Sequence, residues 1–403
     1  MERVKGLGMR ILVGWDDSGQ AELLRMYLGV DGREVCITSD ASEFVTALET
    51  SEWDLVFMTI RFPDHERAFE IFSQLRSENP QLPIVGACRP DEIYRLAGFL
   101  TQGLRAYLIQ DDNGDFMFLL NAVVEGVLKQ LEAERERQVA EKLRREIDSV
   151  RQLQESIIPT QINCPDGLEV VARYESSQIR VFGGNPVTMA GGDYYDGFTL
   201  HDGTVVVLVG DASGHGMKAC MSIMTMHTII RMMRDEQFRD PGQFVSHVNN
   251  LLSAQKLVNG EGGFITMLFG LLTPSTGEFL WASAGHPSPL CHVLDSGEIS
   301  EIGGSNSAGI PLGIMTGFEF ETQKFQMPSR SRIMIYTDGI IEAFPAAAET
   351  HEEFGMAGVH RSLLAAAGDS LQDTLGRLFA DSEAFTQGEG RHDDTSVMLL
   401  QRD

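Results

Sequence analysis

Runs of apolar, β-forming residues end directly at carboxylates in several places along the chain. Three junctions show the pattern: 205–209 runs into Asp211, 333–336 into Asp338, and Asp393 opens onto 395–400. One such carboxylate is common turn chemistry, but several of them indicate strand ends that meet at one place. Grouped acids repel each other and raise each other's pKa unless a cation neutralises them. Oxygen ligands without a His/Cys pattern favour Mg²⁺ or Mn²⁺ over zinc, so the sequence predicts a two-cation carboxylate site.

The composition limits the possible partners. The chain has 403 residues, which predicts two or three domains, and its 43% apolar content is normal for a globular protein. The formal net charge is −26. An excess of this size argues against nucleic acid or an anionic membrane as a partner, since both require a basic surface. Bound divalent cations would offset part of it.

The cysteines and the apolar stretches predict a cytoplasmic location. The five cysteines are scattered and never form a CxxC pair: Cys36, Cys88, Cys164, Cys220 and Cys291. This pattern fits reduced thiols better than a disulfide framework. Residues 1–8 lack the apolar core of a signal peptide. The longest apolar stretch, 217–233, contains Lys218, His227 and Arg231, so we expect a buried helix there rather than a membrane span.

Residues 9–126 alternate between strand and helix patterns five times. The predicted strands are 10–13, 34–38, 54–60, 82–87 and 105–109, and the predicted helices are 20–28, 42–49, 68–77, 91–102 and 115–128. Regular βα alternation predicts a doubly wound α/β domain with a five-stranded parallel sheet, of the flavodoxin-like kind. We place this domain at residues 1–126.

The first domain resembles a response-regulator receiver in the phrase Asp54-Leu55-Val56-Phe57-Met58-Thr59-Ile60-Arg61-Phe62-Pro63-Asp64. Thr59 stands where receivers carry the phosphorylated aspartate, and Gln110 stands where they carry a lysine. Trp15 displaces one acid of the acidic pocket, and Cys88 takes the place of the switch Ser/Thr. The resemblance therefore implies a pseudo-receiver that is not phosphorylated on aspartate. Alternatively, the domain senses another signal or only mediates dimerisation.

Residues 127–158 are rich in Glu, Arg, Lys, Gln and Leu and predict a long helix. One seam with 3,4 spacing is formed by Ala140, Leu143, Ile147, Val150, Gln154 and Ile157. About four heptads are enough for a two-stranded coiled coil, so we predict a homodimer through this linker helix. The alternative is a single amphipathic helix that lies on one of its own domains. Pro159 ends the helix.

Residues 159–403 predict a third unit with strands in runs and helices between and after them. The predicted strands are 168–174, 205–209, 264–272, 277–282, 290–293, 332–336 and 395–400, and the predicted helices are 217–234, 241–255, 356–367 and 370–385. This grouping favours an α+β layered β-sandwich over βαβ winding.

The third unit resembles the metal-dependent PPM serine/threonine protein phosphatases, in their SpoIIE-like bacterial branch. Eight phrases carry the resemblance in the family's order: Gln154-x-x-Ile157-x-Pro159, Gly191-Gly192-Asp193-Tyr194-Tyr195-Asp196, Gly210-Asp211-Ala212-Ser213-Gly214-His215-Gly216, Phe264-Ile265-Thr266-Met267, Ala284-Gly285-His286-Pro287, Pro311-Leu312-Gly313, Tyr336-Thr337-Asp338-Gly339 and Asp393-Asp394-Thr395-Ser396. One such phrase would be weak evidence, whereas the ordered set is specific.

The resemblance implies ligands for two Mn²⁺ or Mg²⁺ ions. Asp193 would bind one metal, Asp211 would bridge both, and the carbonyl of Ala212 would add a ligand. Asp338 and Asp393 would complete the second metal, and Asp394 is a further candidate. Two such ions lower the pKa of a shared water and orient it for in-line attack at phosphorus, so no protein nucleophile is required.

Three other polar residues of these motifs have less defined roles. His215 is a candidate proton donor to the leaving alkoxide, as is a metal-bound water; alternatively, Gly214-His215-Gly216 only shapes the turn into the next helix. His286 and Asp196 are expected to be structural.

The motifs together predict a metal-dependent phosphatase for phosphoserine or phosphothreonine, with Asp193, Asp211, His215, Asp338 and Asp393 as its catalytic residues. By resemblance, its substrate is a phosphorylated STAS-domain anti-sigma-factor antagonist, and the pseudo-receiver regulates it. The alternative is a catalytically silent scaffold that binds the phosphoprotein. A metal-dependent nuclease would use similar carboxylates, but it conflicts with the acidic charge.

Overall fold

The computed structural model describes residues 9–111, 113–179, 187–188, 190–214, 216–233, 239–255, 262–304, 307–345, 352–387 and 392–403. The chain divides into two compact units, residues 1–141 and 142–403. In the described part of the chain, no helix combines the length and the apolar character that a membrane span requires. All five cysteines are free thiols.

The first unit is built on one parallel sheet. Its strands are β1 (Arg10–Gly14), β2 (Glu34–Thr38), β3 (Leu55–Thr59), β4 (Ile84–Cys88) and β5 (Ala106–Ile109). They lie in the order β2-β1-β3-β4-β5, and all neighbouring pairs are parallel. This order is that of flavodoxin-like, doubly wound folds, so the predicted five-stranded receiver-like sheet is confirmed.

Helices cover both faces of this sheet. They are α1 (Ser18–Leu28), α2 (Ala41–Thr50), α3 (His65–Glu78), α4 (Leu96–Thr101), which follows a 3-10 helix at Pro90–Arg95, and α5 (Phe116–Ile157). Ile11 and Val13 of β1 pack in a core with residues of α1 and α5, and Leu12 packs in a second core with residues of α2 to α4. This alternation follows from the two-residue period of a strand.

Helix α5 is one continuous helix, although the sequence analysis assigns its two ends to a receiver helix and a separate linker. Leu120 and Val124 are buried in the core of the first unit, and Gln154 is buried in the second unit. Between these ends, Val139 and Leu143 are exposed. The coiled coil and the boundaries at residues 126 and 158 stay predictions. However, Gln154, which the sequence places in the coiled-coil seam, contacts its own unit instead.

In its described residues, the second unit contains two antiparallel five-stranded sheets and one short antiparallel strand pair. Their strands are β6 (Leu168–Glu175), β7 (Gln178–Ile179), β8 (Val187–Thr188), β9 (Asp193–Thr199), β10 (Val205–Ala212), β11 (Ile265–Thr273), β12 (Glu278–Ala284), β13 (Leu290–Val293), β14 (Glu298–Glu301), β15 (Gln323–Gln326), β16 (Ser331–Tyr336) and β17 (Thr395–Arg402). The first sheet has the order β15-β12-β11-β10-β9, and the second has the order β14-β13-β16-β17-β6.

Helices flank these sheets, and the sheets share a core. The helices are α6 (Met217–Met233), α7 (Pro241–Ser253), α8 (Gly355–Ala365) and α9 (Leu371–Phe385). Ile333 and Ile335 of β16 pack in one core with residues of the first sheet, α6 and α7. Met334 and Tyr336 of the same strand face a second core with residues of α8 and α9. The predicted layered α+β sandwich is therefore confirmed.

Five strands of this unit have no predicting pattern in the sequence: β7, β8, β9, β14 and β15. Strand β9 begins with Asp193 and also contains Asp196 and Gly197, residue types that are depleted in strands. Strand β10 continues through Asp211 to Ala212, whereas the sequence places Asp211 just outside its strand. Both carboxylates are thus fixed by sheet pairing and not by turns.

Candidate metal centre

Asp193 and Asp211 lie directly opposite each other in the antiparallel pair β9 and β10. Directly opposed side chains in such a pair have Cβ atoms about 4.5–5.5 Å apart, a position at which like charges are destabilising. Asp193 is only 1% exposed. Burial, followed by the charges of Asp211 and Asp394, raises the pKa of Asp193 well above its usual range. The first sheet therefore presents a carboxyl pair that favours a neutralising partner.

The second sheet contributes Asp338 and Asp393 to the same place. Asp338 begins a 3-10 turn one residue after the end of β16, and Asp393 precedes β17. Burial, followed by the charges of Asp338 and Asp393, raises the pKa of Asp211. Burial also raises the pKa of Asp338. The structure thus brings four of the predicted site residues together from both sheets.

Thr337 supports this cluster and is not identified by the sequence analysis. Its hydroxyl donates to Asp193 Oδ2 at 2.7 Å and accepts from the backbone N–H of Ser396 at 2.8 Å. The hydroxyl proton is thereby directed to the carboxylate, and this hydrogen bond lowers the pKa of Asp193 in opposition to burial. The phrase Tyr336-Thr337-Asp338-Gly339 contains Thr337, but a hydrogen bond across 144 positions has no local sequence signal.

The carboxylate of Asp394 accepts hydrogen bonds from two backbone N–H groups. Its Oδ1 accepts from the backbone N–H of Ser177 at 2.8 Å, and its Oδ2 accepts from the backbone N–H of Gly192. A Cβ atom on Gly191 would lie 2.6 Å from Asp394 Oδ1 and 2.1 Å from the Tyr174 hydroxyl. Only glycine fits such a close approach. Asp394 therefore braces the segment before Asp193, and its role as a metal ligand stays a prediction.

Glu342 is a further acid of this region that the sequence analysis misses. Burial, followed by the charges of Asp338, Glu353 and Asp393, raises its pKa. The spacing in the sequence could have identified Glu342, because it follows Asp338 by one helical turn. In the structure, the N–H of Glu342 donates to the Asp338 carbonyl at 2.9 Å.

The donors fit hard divalent cations. Within the described residues, no group of three or more His, Cys, Asp and Glu side chains is already arranged to hold a metal ion. Mg²⁺, however, keeps several waters and is often bound directly by only one or two carboxylates. The cluster offers oxygen donors, among them three carboxyl groups whose pKa is raised: Asp193, Asp211 and Asp338. A Cβ atom on Gly192 would lie 2.7 Å from the Ala212 carbonyl oxygen, so glycine keeps the space beside this predicted donor open.

A cavity of about 320 Å³ opens beside the acids. It is lined by Asp211, Thr266, Gly285, His286, Pro287, Ser288, Ala308, Thr337 and Asp338. His286 Nδ1 lies 3.1 Å from Thr266 Oγ1, and the His286 backbone exchanges hydrogen bonds with the Ser283 hydroxyl. Burial lowers the pKa of His286 to about 3, so the ring is neutral. These contacts agree with the structural role expected for His286, which stays a prediction.

Another motif residue, Asp196, is paired with an arginine rather than with these acids. Asp196 is buried in β9, where Arg231 Nη2 lies 3.2 Å from its Oδ2. This ion pair agrees with the structural role expected for Asp196. His215 lies outside the described residues, so its role stays a prediction.

A family model matches the part of the chain that carries most of these acids. The model for "Stage II sporulation protein E (SpoIIE)" matches residues 201–403, half of the chain. The chain belongs to the SpoIIE family. The SpoIIE match contains Asp211, Asp338 and Asp393, whereas Asp193 and Gln154 precede it.

Two curated relatives of this SpoIIE-family chain match parts of it at low sequence identity. Protein IcfG of Synechocystis sp. is 25% identical over 247 residues, which are 55% of this chain and 36% of the relative. A probable transcriptional regulatory protein of Mycobacterium tuberculosis, TcrX, is 30% identical over 104 residues, 26% of this chain and 44% of the relative. The chain therefore spans less than half the length of these curated relatives.

The fold of the second unit is similar to that of solved structures. The PP2C domain of SiaA from Pseudomonas aeruginosa matches with a TM-score of 0.52 and 15% identity, over 66% of this chain and 99% of that domain. This likeness agrees with the two-sheet sandwich of the SpoIIE-family unit.

Proposed function

We propose that the chain is a metal-dependent phosphatase that hydrolyses phosphoserine or phosphothreonine on a regulatory protein. One observation carries the proposal: Asp193 and Asp211 from one sheet meet Asp338 and Asp393 from the other, at the edge of an open cavity. Family membership and the shared PP2C fold support it. Such a cluster is suited to cations that neutralise the charge of a phosphoryl group in transfer.

The positions of the site residues suggest a different role for each of them in metal binding. Asp211 is paired with Asp193 of its own sheet and is affected by the charges of Asp338 and Asp393 of the other sheet, which fits a ligand shared by two ions. Asp193 and the Ala212 carbonyl would serve one side, and Asp338 and Asp393 the other. When bound, Mn²⁺ or Mg²⁺ would supply charge neutralisation and a water of lowered pKa. Thr337 orients Asp193 through its hydrogen bond.

The cavity is suited to the substrate side chain. Thr266 and Ser288 give it hydroxyl groups, and Pro287 and Ala308 give it apolar surface. No protein nucleophile would be required, because water would be the nucleophile at phosphorus. The proton for the leaving alkoxide would come from His215 or from water.

The proposed substrate and regulation rest on the family resemblance. The substrate would be a phosphorylated STAS-domain anti-sigma-factor antagonist in a partner-switching pathway. A partner that binds residues 1–126 would change the state of α5 and thereby the metal site. Deletion of residues 1–126 is expected to alter turnover. Unchanged kinetics and an unchanged partner response would refute this regulation.

The test is Mn²⁺-dependent hydrolysis of para-nitrophenyl phosphate and of a phosphoserine-bearing STAS protein. Asp211→Asn is expected to abolish turnover. The matched control is Asp295→Asn, because Asp295 is an exposed surface acid paired with Arg330. Phosphoprotein binding that needs no metal and gives no turnover would instead support the silent scaffold.

A further inference from the structure

Gln154 of helix α5 aims a buried amide at the backbone that leads into β9. The side chain is fully buried. Its Nε2 donates to the carbonyl oxygens of Gly191 at 3.0 Å and Asp193 at 3.2 Å. Its Oε1 accepts from the N–H of Gly191 at 2.8 Å. One side chain thus contacts both ends of the three-residue segment that ends at Asp193.

Other residues pair with the backbone groups of Gly192, whereas Gln154 pairs with those of Gly191. The N–H of Gly192 donates to Asp394, and the Gly192 carbonyl accepts from the N–H of Ala212 at 2.8 Å. Gln154 supplies both partners of Gly191. Without the amide, a buried N–H and a buried C=O lose their partners, and the segment favours another conformation in which they are hydrated.

We propose that Gln154 is a positioning residue that holds residues 191–193 so that Asp193 stays opposite Asp211. Because the amide belongs to α5, divalent-cation binding then depends on the docking of this helix end. A shift or rotation of the helix end would remove both partners of Gly191 at once. The expected effect of Gln154 on turnover rests on the proposed function. The expected effect of Gln154 on the backbone of residues 191–193 is independent of that function.

The primary test compares the full-length protein with its Gln154→Ala variant, both free of metal. Hydrogen exchange at the Gly191 amide is expected to be at least about tenfold faster in the variant, because its acceptor is gone. Mn²⁺ affinity, measured by calorimetry, is expected to fall about 10- to 100-fold, as for other residues that orient a metal ligand. Gln152→Ala, an exposed glutamine of the same helix, should match the wild type in both measurements.

A second variant covers the case in which Gln154→Ala fails to fold. Gln154→Glu keeps the length and the acceptor but loses the two N–H donors, so Mn²⁺ affinity should fall while protection of the Gly191 amide is largely kept. Turnover of either folded variant should recover at saturating Mn²⁺. Wild-type Mn²⁺ affinity in a folded Gln154 variant would overturn the inference.

The outcomes also separate this inference from the proposed function. If the wild-type protein binds Mn²⁺ but hydrolyses no phosphoserine substrate, the proposed function fails, while weaker Mn²⁺ binding by the variants still supports the role of Gln154. If the wild type is active and the variants bind Mn²⁺ equally well, only the inference fails.

Discussion

The hydroxyl of Thr337 donates a 2.7 Å hydrogen bond to the carboxylate of Asp193, across 144 positions of the chain. It connects the end of β16 in one sheet to the start of β9 in the other. The cluster is therefore stabilised by hydrogen bonds between the sheets, although its charges repel.

Removal of this hydroxyl should weaken both the fold and cation binding. Thr337→Val keeps the shape but leaves Asp193 without the donor, so we expect a loss of about 1–3 kcal/mol of unfolding free energy. Urea denaturation measures this loss, and calorimetry measures Mn²⁺ affinity. Thr337→Ser keeps the hydroxyl and should stay near the wild type. Equal Mn²⁺ affinity in Thr337→Val would argue against a role for the hydroxyl in orienting Asp193.

Gly191 should not tolerate a side chain. Its added Cβ would lie 2.1 Å from the Tyr174 hydroxyl, so Gly191→Ala is expected to destabilise the protein by about 1–3 kcal/mol through overpacking. Gly376 of α9 has no atom within 4 Å of its added Cβ. Gly376→Ala should stabilise the protein by about 0.5–1 kcal/mol. Thermal or urea unfolding compares the two, and shifts of the same sign would refute the prediction.

The first domain should not accept a phosphoryl group. Thr59 is buried at the acceptor position, and Arg61 Nε lies 3.0 Å from Asp16 Oδ2. The guanidinium already neutralises the acid that would help to bind Mg²⁺. Incubation with acetyl phosphate is therefore expected to give no base-labile phosphate on residues 1–126, as measured by mass spectrometry. Stable, base-labile incorporation would restore this domain as a functional receiver.

His286 should make stability depend on pH. The folded pKa is lowered to about 3, whereas an unfolded histidine has a pKa near 6.5. Between these values the unfolded chain binds more protons, so the contribution is present above about pH 6.5 and is lost as pH falls, by up to about 1.4 kcal/mol per unit. The difference in unfolding free energy between wild type and His286→Gln should shrink from pH 7 to pH 5. A constant difference would contradict the prediction.

The predicted homodimer can be tested through two exposed residues of α5. Leu143 belongs to the predicted coiled-coil seam, whereas Val139 does not, and their exposed fractions are similar at 58% and 60%. Leu143→Glu should convert the dimer to a monomer in light scattering, because a buried charge disrupts the seam. Val139→Glu should have a smaller effect. A concentration-independent wild-type monomer would exclude the coiled coil.

The sequence predicts the first domain well, because parallel strands buried on both faces form continuous apolar runs. It predicts β9 poorly, because Asp193, Asp196 and Gly197 oppose strand propensity and only tertiary pairing overrides them. The sequence motifs identify Asp211 and Asp338 as candidate metal ligands. That these acids lie close together depends on the sheet registers, which no local sequence pattern encodes.

Gln154 shows a different limit of prediction from the sequence, which concerns the partner that a helix packs against. A 3,4 pattern is the same whether a helix packs on a second helix or on its own domain. Apolar neighbours such as Ile157 fit both cases. Only the buried hydrogen bonds to Gly191 and Asp193 distinguish them. At this end of the helix, the structure shows packing on the helix's own domain. Leu143, farther from this end, is exposed.

Strand β17 is an interior strand of its sheet, between β6 and β16, although every other described strand precedes it in the chain. Asp394, at its start, bonds Ser177 across 217 positions. On the ribosome, β6 and β16 therefore emerge well before the strand that joins them. We expect the nascent polypeptide to expose two unpaired strand edges at this stage, which invite association with other chains until β17 is made.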